Sequence, residues 1–146
     1  MAKIFWDSNL FIYLFEDNPV FGEAVAKLRR SIHRRQDEIV TSAFTLGEIL
    51  VRCVEAGDRV REELYADLFR GAAFRVTPFD HAAARHYARI RQNRKISKQD
   101  AIQLACAASA KVDLFVTNDE RLSKVTIPGI TFVASLAATS SLGLID

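Results

Sequence analysis

The sequence has no long apolar run. No stretch approaches the roughly 20 residues that a membrane span needs, so a membrane-embedded role is excluded. Cysteine is scarce. Cys53 and Cys106, the only two among 146 residues, both sit in apolar helical patterns and read as reduced core thiols rather than a disulfide framework. The opening Met1-Ala-Lys-Ile-Phe-Trp-Asp7 reaches an acid too early for a signal peptide, which points to a cytoplasmic protein. There is no internal repeat, no low-complexity tract and no linker, so residues 1–146 are expected to form a single domain. A dominant charge is missing as well: 20 Lys and Arg stand against 18 Asp and Glu. Acids are absent from His81 to Gln99, where six Lys or Arg residues and two His are gathered.

What is present is the profile of a globular α/β chain, 49% apolar and 26% charged. Lys3 to Trp6 is a short apolar run that stops at Asp7-Ser8-Asn9. The pattern Leu10, Phe11, Leu14, Phe15 follows, which predicts strand, turn and helix. After Asn18-Pro19 a second helix is expected from Val20 to about Gln36. Glu38–Ser42 reads as a strand entering a helix from about Ala43 to Ala56. Beyond Gly57-Asp58 another helix carries Val60, Leu64, Leu68 and Phe69 and ends at Gly71. Ala73–Thr77 is a third strand, stopped by Pro78. A helix near Asp80–Arg91, one from Ser97, a buried strand at Val112–Val116 and a last, edge strand at Ile130–Val133 complete the order. Residues 134–146 are small and polar with a weakly apolar end. Strands alternating with helices predict an α/β sandwich on a mainly parallel sheet of roughly five strands.

Three acids fall at equivalent places in that scheme. Asp7 follows the first strand, Asp119 follows the fourth, and Asp100 opens the Ala-rich helix Ala101-Ile102-Gln103-Leu104-Ala105. Glu48 lies within two turns of the start of the helix after the second strand, near enough to reach back to the sheet. In an open parallel sheet the carboxyl ends of strands and the first turns of helices border one crevice. Each acid has a plainer reading: Asp7 as a helix cap, Thr45-Leu-Gly-Glu48 and Ser97-Lys-Gln-Asp100 as capping boxes, Asp119 as a cap of the segment after it. Together they favour a metal site. Glu48 and Asp100 have apolar sequence neighbours, and cations at the crevice are expected to be scarce because nearby Arg and Lys fall on outward helix faces. Carboxylates sharing a crevice need a cation. Oxygen donors without His or Cys select Mg²⁺ or Mn²⁺ over Zn²⁺.

The residues Phe5-Trp6-Asp7-Ser8-Asn9, Leu46-Gly47-Glu48-Ile49, Asp100-Ala101-Ile102 and Thr117-Asn118-Asp119 resemble, in order and spacing, those of a PIN domain. At this length the chain is similar to the VapC-type toxin ribonucleases of toxin–antitoxin pairs, over about residues 3 to 135. The resemblance implies a three-layer α/β/α sandwich. It implies an acidic quartet, Asp7, Glu48, Asp100 and Asp119, binding Mg²⁺ or Mn²⁺, with Ser8, Asn9, Thr117 and Asn118 in supporting positions. The implied activity is endoribonucleolytic hydrolysis of RNA, and the implied partners are a cognate antitoxin protein and a second copy in a homodimer. Where family members often carry Pro or a hydroxyl before the third acid, this chain has Lys98-Gln99, which leaves the ligands intact.

Arg94, Lys95 and Lys98 adjoin the expected site and are candidates for binding RNA phosphates. Trp6 and Tyr87 are expected in or near the core. Phe11, Tyr13, Leu14, Phe15, Leu64 and Phe69 exceed one core and suggest protein contacts. Competing classes are a non-catalytic PIN-like binding module, a metal-dependent DNA nuclease, and a phosphatase of the haloacid dehalogenase kind. The last normally has a second acid two residues after the first, where this chain has Asn9. A receiver-like phosphoacceptor would cluster its acids near the N-terminus.

Overall fold

Two kinds of pattern, short apolar runs and amphipathic stretches, separate cleanly in space. The computed structural model describes residues 1–139. Its strands are β1 (Lys3–Trp6), β2 (Glu38–Ser42), β3 (Arg75–Thr77), β4 (Leu114–Thr117) and β5 (Phe132–Ser135). All pair in parallel, in the order β3-β2-β1-β4-β5. The helices are α1 (Ser8–Phe15), α2 (Gly22–Arg34), α3 (Ala43–Glu55), α4 (Arg59–Arg70), α5 (His81–Ile90) and α6 (Lys98–Ser109), with 3-10 turns at Leu122–Lys124 and Ala137–Thr139.

Alternation along β1 divides the core. Ile4 and Trp6 pack among Leu10, Phe11, Val25, Leu28, Ile32, Ile49 and Phe69, which come from α1 to α4. Phe5 faces the other way, onto Ala83, Ile90 and the apolar face of α6. Phe5 and Phe115 are register partners on β1 and β4, and their rings stack 5.0 Å apart. The result is the three-layer α/β/α sandwich with a parallel five-stranded sheet.

Small side chains bring α6 close to the sheet: Ala101, Ala105 and Ala107 are fully buried. The loop before β5 also rests on this helix. A Cβ at Gly129, whose φ is +98°, would meet the Ala108 carbonyl oxygen at 2.9 Å, so both the turn and the close approach require glycine there.

Element ends follow the local chemistry, with some shifts. Asp58, Asp80 and Ser97 each accept from a backbone N–H three residues on and cap α4, α5 and α6. The cap of α3 is Ser42, accepting from Thr45 N, and not Thr45, so the expected Thr45–Glu48 capping box does not form. Asn18 accepts from Val20 and Phe21 N–H at 2.9 Å, which organises the turn and delays α2 to Gly22. β4 and β5 start two residues later than the apolar runs suggested. The pairs Ile4↔Leu114 and Leu114↔Phe132 set their register.

Trp6 is fully buried and Tyr87 half-buried, edge-on to Phe79. Phe11 and Phe69 belong to the core, Tyr13, Leu14 and Phe15 flank it, and Leu64 is exposed. The expected docking or looseness of residues 134–146 divides: Ala134 and Ser135 end β5, Thr139 is buried, and residues 140–146 lie outside the described residues.

Candidate metal-binding active site

The chain fills the sheet outward from β1 through β2 to β3, then crosses back to place β4 on the other side of β1. Between β1 and β4 the connections leave in opposite directions, which opens a crevice beyond the carboxyl ends of the strands. Asp7 stands there. Its N–H donates to the Val116 carbonyl at 3.2 Å, extending the β1–β4 ladder by one step and fixing the residue at the carboxyl end of β1.

Asp7 is only 7% exposed. One carboxylate oxygen accepts from Ser8 N–H at 2.7 Å, which makes it the cap of α1, and lies 3.4 Å from the Ser8 hydroxyl. The other accepts from the Thr117 hydroxyl at 3.0 Å. The cap reading therefore holds for this side chain, and it leaves the second carboxylate oxygen on Thr117, at the carboxyl end of β4. Its carboxyl stands at about 6, raised mainly by burial. The Thr117 and Ser8 hydrogen bonds pull it down, and the negative charges of Asp100 and Glu48 push it further up.

The other acids surround it at one remove. Glu48 reaches back from α3 and accepts from the Ser8 hydroxyl at 2.8 Å. The Thr117 hydroxyl accepts from Asp119 N–H at 3.1 Å, so Asp7 and Asp119 share a bridging residue. Asp100, half-buried in the first turn of α6, is also raised. Burial is the main cause, opposed by its Ser97 hydrogen bond and the charge of Arg121 and reinforced by the charge of Asp119. All four acids thus line one edge, coupled through Ser8 and Thr117 or through their fields.

They are not yet a cage. Among the described residues no three carboxylate, imidazole or thiolate groups are gathered as a ready-made metal site. Two contacts explain the spacing. Glu48 is turned to Ser8, and Asp119 is held by Arg121, whose guanidinium lies 3.2 Å from it and whose backbone N–H adds a further bond. Arg121 holds the Asp119 carboxyl below the usual carboxylate range. The expectation that cations would be scarce at the crevice needs this correction, because Arg121 stands there on an exposed turn two residues past Asp119. Neither Glu48 nor Asp100 forms an ion pair among the described residues.

The donor set nonetheless fits a hard divalent cation: carboxylate and hydroxyl oxygens only, one carboxylate desolvated and pressed by two like charges. Of the expected supporting residues, Ser8 and Thr117 touch Asp7 directly. Asn118 instead donates to the Tyr13 hydroxyl at 3.0 Å, and Asn9 is exposed. Arg94, Lys95 and Lys98 are exposed on the approach to α6 and form no ion pair among the described residues.

Sequence reasoning missed a buried polar group beneath the acids. Gln103, 2% exposed, donates to the Thr45 hydroxyl at 2.6 Å and accepts from the Ser42 hydroxyl. An amide set among Ala, Ile and Leu was the available signal.

A parallel α/β/α sandwich with carboxylates along its switch-point edge defines an acid-edged α/β domain. The PIN domain family model matches residues 4–128, and the chain belongs to the PIN domain family. No curated relative matches the sequence. The fold is similar to that of VapBC2 from Rickettsia felis bound to a DNA fragment from its promoter. The TM-score is 0.71 at 14% identity, covering 91% of this chain and 98% of that one. DNA-bound VapBC from Salmonella typhimurium aligns with TM-score 0.70 at 23% identity, over 93% and 99% of the two chains. VapBC-5 from Mycobacterium tuberculosis, a member of a toxin–antitoxin family, aligns with TM-score 0.59 at 20% identity, over 92% and 99%.

Proposed function

We propose that this protein is a Mg²⁺- or Mn²⁺-dependent endoribonuclease, the toxin of a toxin–antitoxin pair. The observation that carries the reading is Asp7, a buried carboxylate held up at about 6 by desolvation and by two neighbouring acids, at the switch point of a PIN domain. Burying such a group without a cation costs stability, and a functional site is where that cost is retained.

Asp7 and Asp100, from the end of β1 and the first turn of α6, are the side chains that would hold the cation directly. Glu48 and Asp119 would hold it directly or through water, and one of them would take the proton of the attacking water. A bound divalent cation supplies charge to a phosphate oxygen and lowers the pKa of a water beside it. Ser8 and Thr117 fix the two Asp7 oxygens by hydrogen bonds. Arg94, Lys95 and Lys98 contribute exposed positive charge for phosphates flanking the cleaved bond.

Support for the toxin reading comes from the VapBC complexes that share the fold. The exposed apolar side chains of Val51 and Val54 on α3, and of Val60 and Leu64 on α4, fit the protein contacts that an antitoxin and a second copy require. Cytoplasmic action follows from the same reading, and no described helix is long and apolar enough to cross a membrane.

The test is cleavage of labelled RNA and DNA by the purified chain in Mg²⁺, Mn²⁺ or EDTA, beside Asp100→Asn. Metal-dependent RNA cleavage lost in the variant is the expected result. Asp100→Asn should melt no lower than wild type in EDTA while losing most of its stabilisation by Mg²⁺. Cleavage of DNA alone would reassign the substrate. One second reading, a non-catalytic binding module, is favoured by Asp119 being already paired with Arg121; RNA and DNA both left intact in every condition would support it.

A further inference from the structure

Beneath the acid edge lies a hydrogen-bonded network that belongs to no strand ladder. Gln103 Nε2 donates to Thr45 Oγ1 at 2.6 Å, and Gln103 Oε1 accepts from Ser42 Oγ. Thr41 Oγ1 stands 2.9 Å from Thr45 Oγ1 and 3.0 Å from the Trp6 carbonyl. Thr77 Oγ1 donates to the Thr41 carbonyl at 3.1 Å. Thr41, Ser42 and Thr45 are fully buried, and Gln103 and Thr77 are 2% and 8% exposed. A hydroxyl has one proton to give, so when Thr41 donates to Trp6, Thr45 donates to Thr41 and takes the Gln103 amide proton. The order of protons is then fixed from α6 through α3 and β2 to β1.

Each end of this chain of bonds lies beside an acid. Trp6 immediately precedes Asp7. Thr45 precedes Glu48 by three residues on α3, and Gln103 follows Asp100 by three on α6, so each pair shares one helical face. The network links the elements that carry Asp7, Glu48 and Asp100 at the level just below their side chains. Apolar contacts could hold α3 and α6 to the sheet, but they tolerate sliding. Directional bonds between buried groups set a register, and leaving one unmade costs the desolvation of its partner.

We propose that Gln103, with Ser42, Thr45 and Thr41, is the positioning device that sets the spacing of the acids and thereby the metal affinity of the site. The proposal rests on the metal-dependent nuclease reading. Gln103 touches neither substrate nor cation; it acts through the two helices it joins.

Calorimetric Mg²⁺ titration of the full chain without RNA, alongside cleavage kinetics, tests it. Gln103→Leu and Thr45→Val remove the bonds while keeping bulk, and Thr45→Ser keeps the hydroxyl. Gln103→Leu and Thr45→Val should each weaken Mg²⁺ binding by about tenfold or more, the range expected when a group supporting a ligand is lost. The same two variants should lower kcat at subsaturating Mg²⁺ and leave RNA affinity in EDTA unchanged, while the hydroxyl-bearing Thr45→Ser keeps wild-type Mg²⁺ affinity and kcat. Folded Gln103→Leu and Thr45→Val with wild-type Mg²⁺ affinity would overturn the proposal, as would Thr45→Ser being as impaired as Thr45→Val. Should Gln103→Leu fail to fold, the two Thr45 variants carry the comparison. Wild-type protein that neither binds Mg²⁺ nor cuts RNA overturns the nuclease reading itself, an outcome distinct from unaffected variants of an active enzyme.

Discussion

The amino and carboxyl edges of the same sheet carry acids in similar number and treat them oppositely. At the amino edge Asp37 accepts from Ala2 N–H at 2.8 Å through one oxygen; the other makes no hydrogen bond but lies 3.3 Å from the Arg35 guanidinium. Asp113 accepts from Lys3 N–H at 2.8 Å, and Glu38 lies 3.5 Å from Arg75. These acids tie the starts of neighbouring strands together. At the carboxyl edge Asp7, Glu48 and Asp100 find hydroxyls and each other, and the cation beside them, Arg121, is attached to Asp119 from an exposed turn. Acids paired with cations and backbone N–H groups stabilise a fold. Acids with little positive charge beside them raise one another's carboxyls instead.

The largest expected effect comes from removing the central charge of the carboxyl edge. Asp7→Asn should lower RNA cleavage by at least about a hundredfold while raising the melting temperature in EDTA. The sign follows from titration. The unfolded carboxyl titrates near 3.8 and the folded one near 6. Between those values the folded chain binds the extra proton, so metal-free stability falls as pH rises through that window and stays reduced above it. The cost at neutral pH is about 3 kcal/mol at most. Denaturant melts of wild type in EDTA at pH 4 and pH 7.5 should show this fall, and Asp7→Asn should flatten it. An unchanged pH dependence would erase the contrast between the edges.

The opposite signature is expected at the amino edge. Asp37→Ala leaves the half-buried Ala2 N–H without its partner and should cost about 1–3 kcal/mol, read as a lower urea midpoint. Cleavage per folded molecule should remain at the wild-type level. A loss of activity without a loss of stability would mean that the amino edge is not merely structural.

A smaller effect is expected on the approach to the acids. Replacing Lys95 and Lys98 with Ala should reduce the slope of log affinity for single-stranded RNA against log salt by about 1.4, at about 0.7 for each phosphate no longer neutralised. An unchanged slope would remove both residues from the interface. The smallest effect belongs to Arg121. Because its guanidinium competes for Asp119 from a solvent-exposed position, Arg121→Ala should lower the Mg²⁺ needed for half-maximal cleavage by only a few-fold, as for an exposed ion pair. A large rise instead would place Arg121 on the substrate.

Legibility in the sequence was uneven for identifiable reasons. Lys3–Trp6 and Glu38–Ser42 announce strands because short apolar runs end in turn or capping residues, and both strands keep those bounds. The capping of α3 was ambiguous, since Ser42 and Thr45 are both residue types that cap helices and Thr45-x-x-Glu48 fits a capping box. Only the end of β2 at Ser42 selects the first. Gln103 was hidden because α6 is buried on nearly every side, so periodicity marks no face on which an amide must find partners. Arg121 was hidden because an exposed turn carries no pattern at all.

The order of apolar runs, amphipathic stretches and stop residues was enough by itself to determine a parallel α/β sandwich, to set Asp7, Asp100 and Asp119 at comparable element ends, and to place Glu48 within two turns of a helix start. That follows because periodicity and caps act over a few residues. Which acid is desolvated, which is already paired, and how α3 and α6 are held in register depend on groups as far apart as Asp7 and Thr117 or Thr45 and Gln103. Only the folded sheet brings those groups within hydrogen-bonding distance. Desolvation and charge coupling are properties of the space around a side chain, and no local pattern encodes that space.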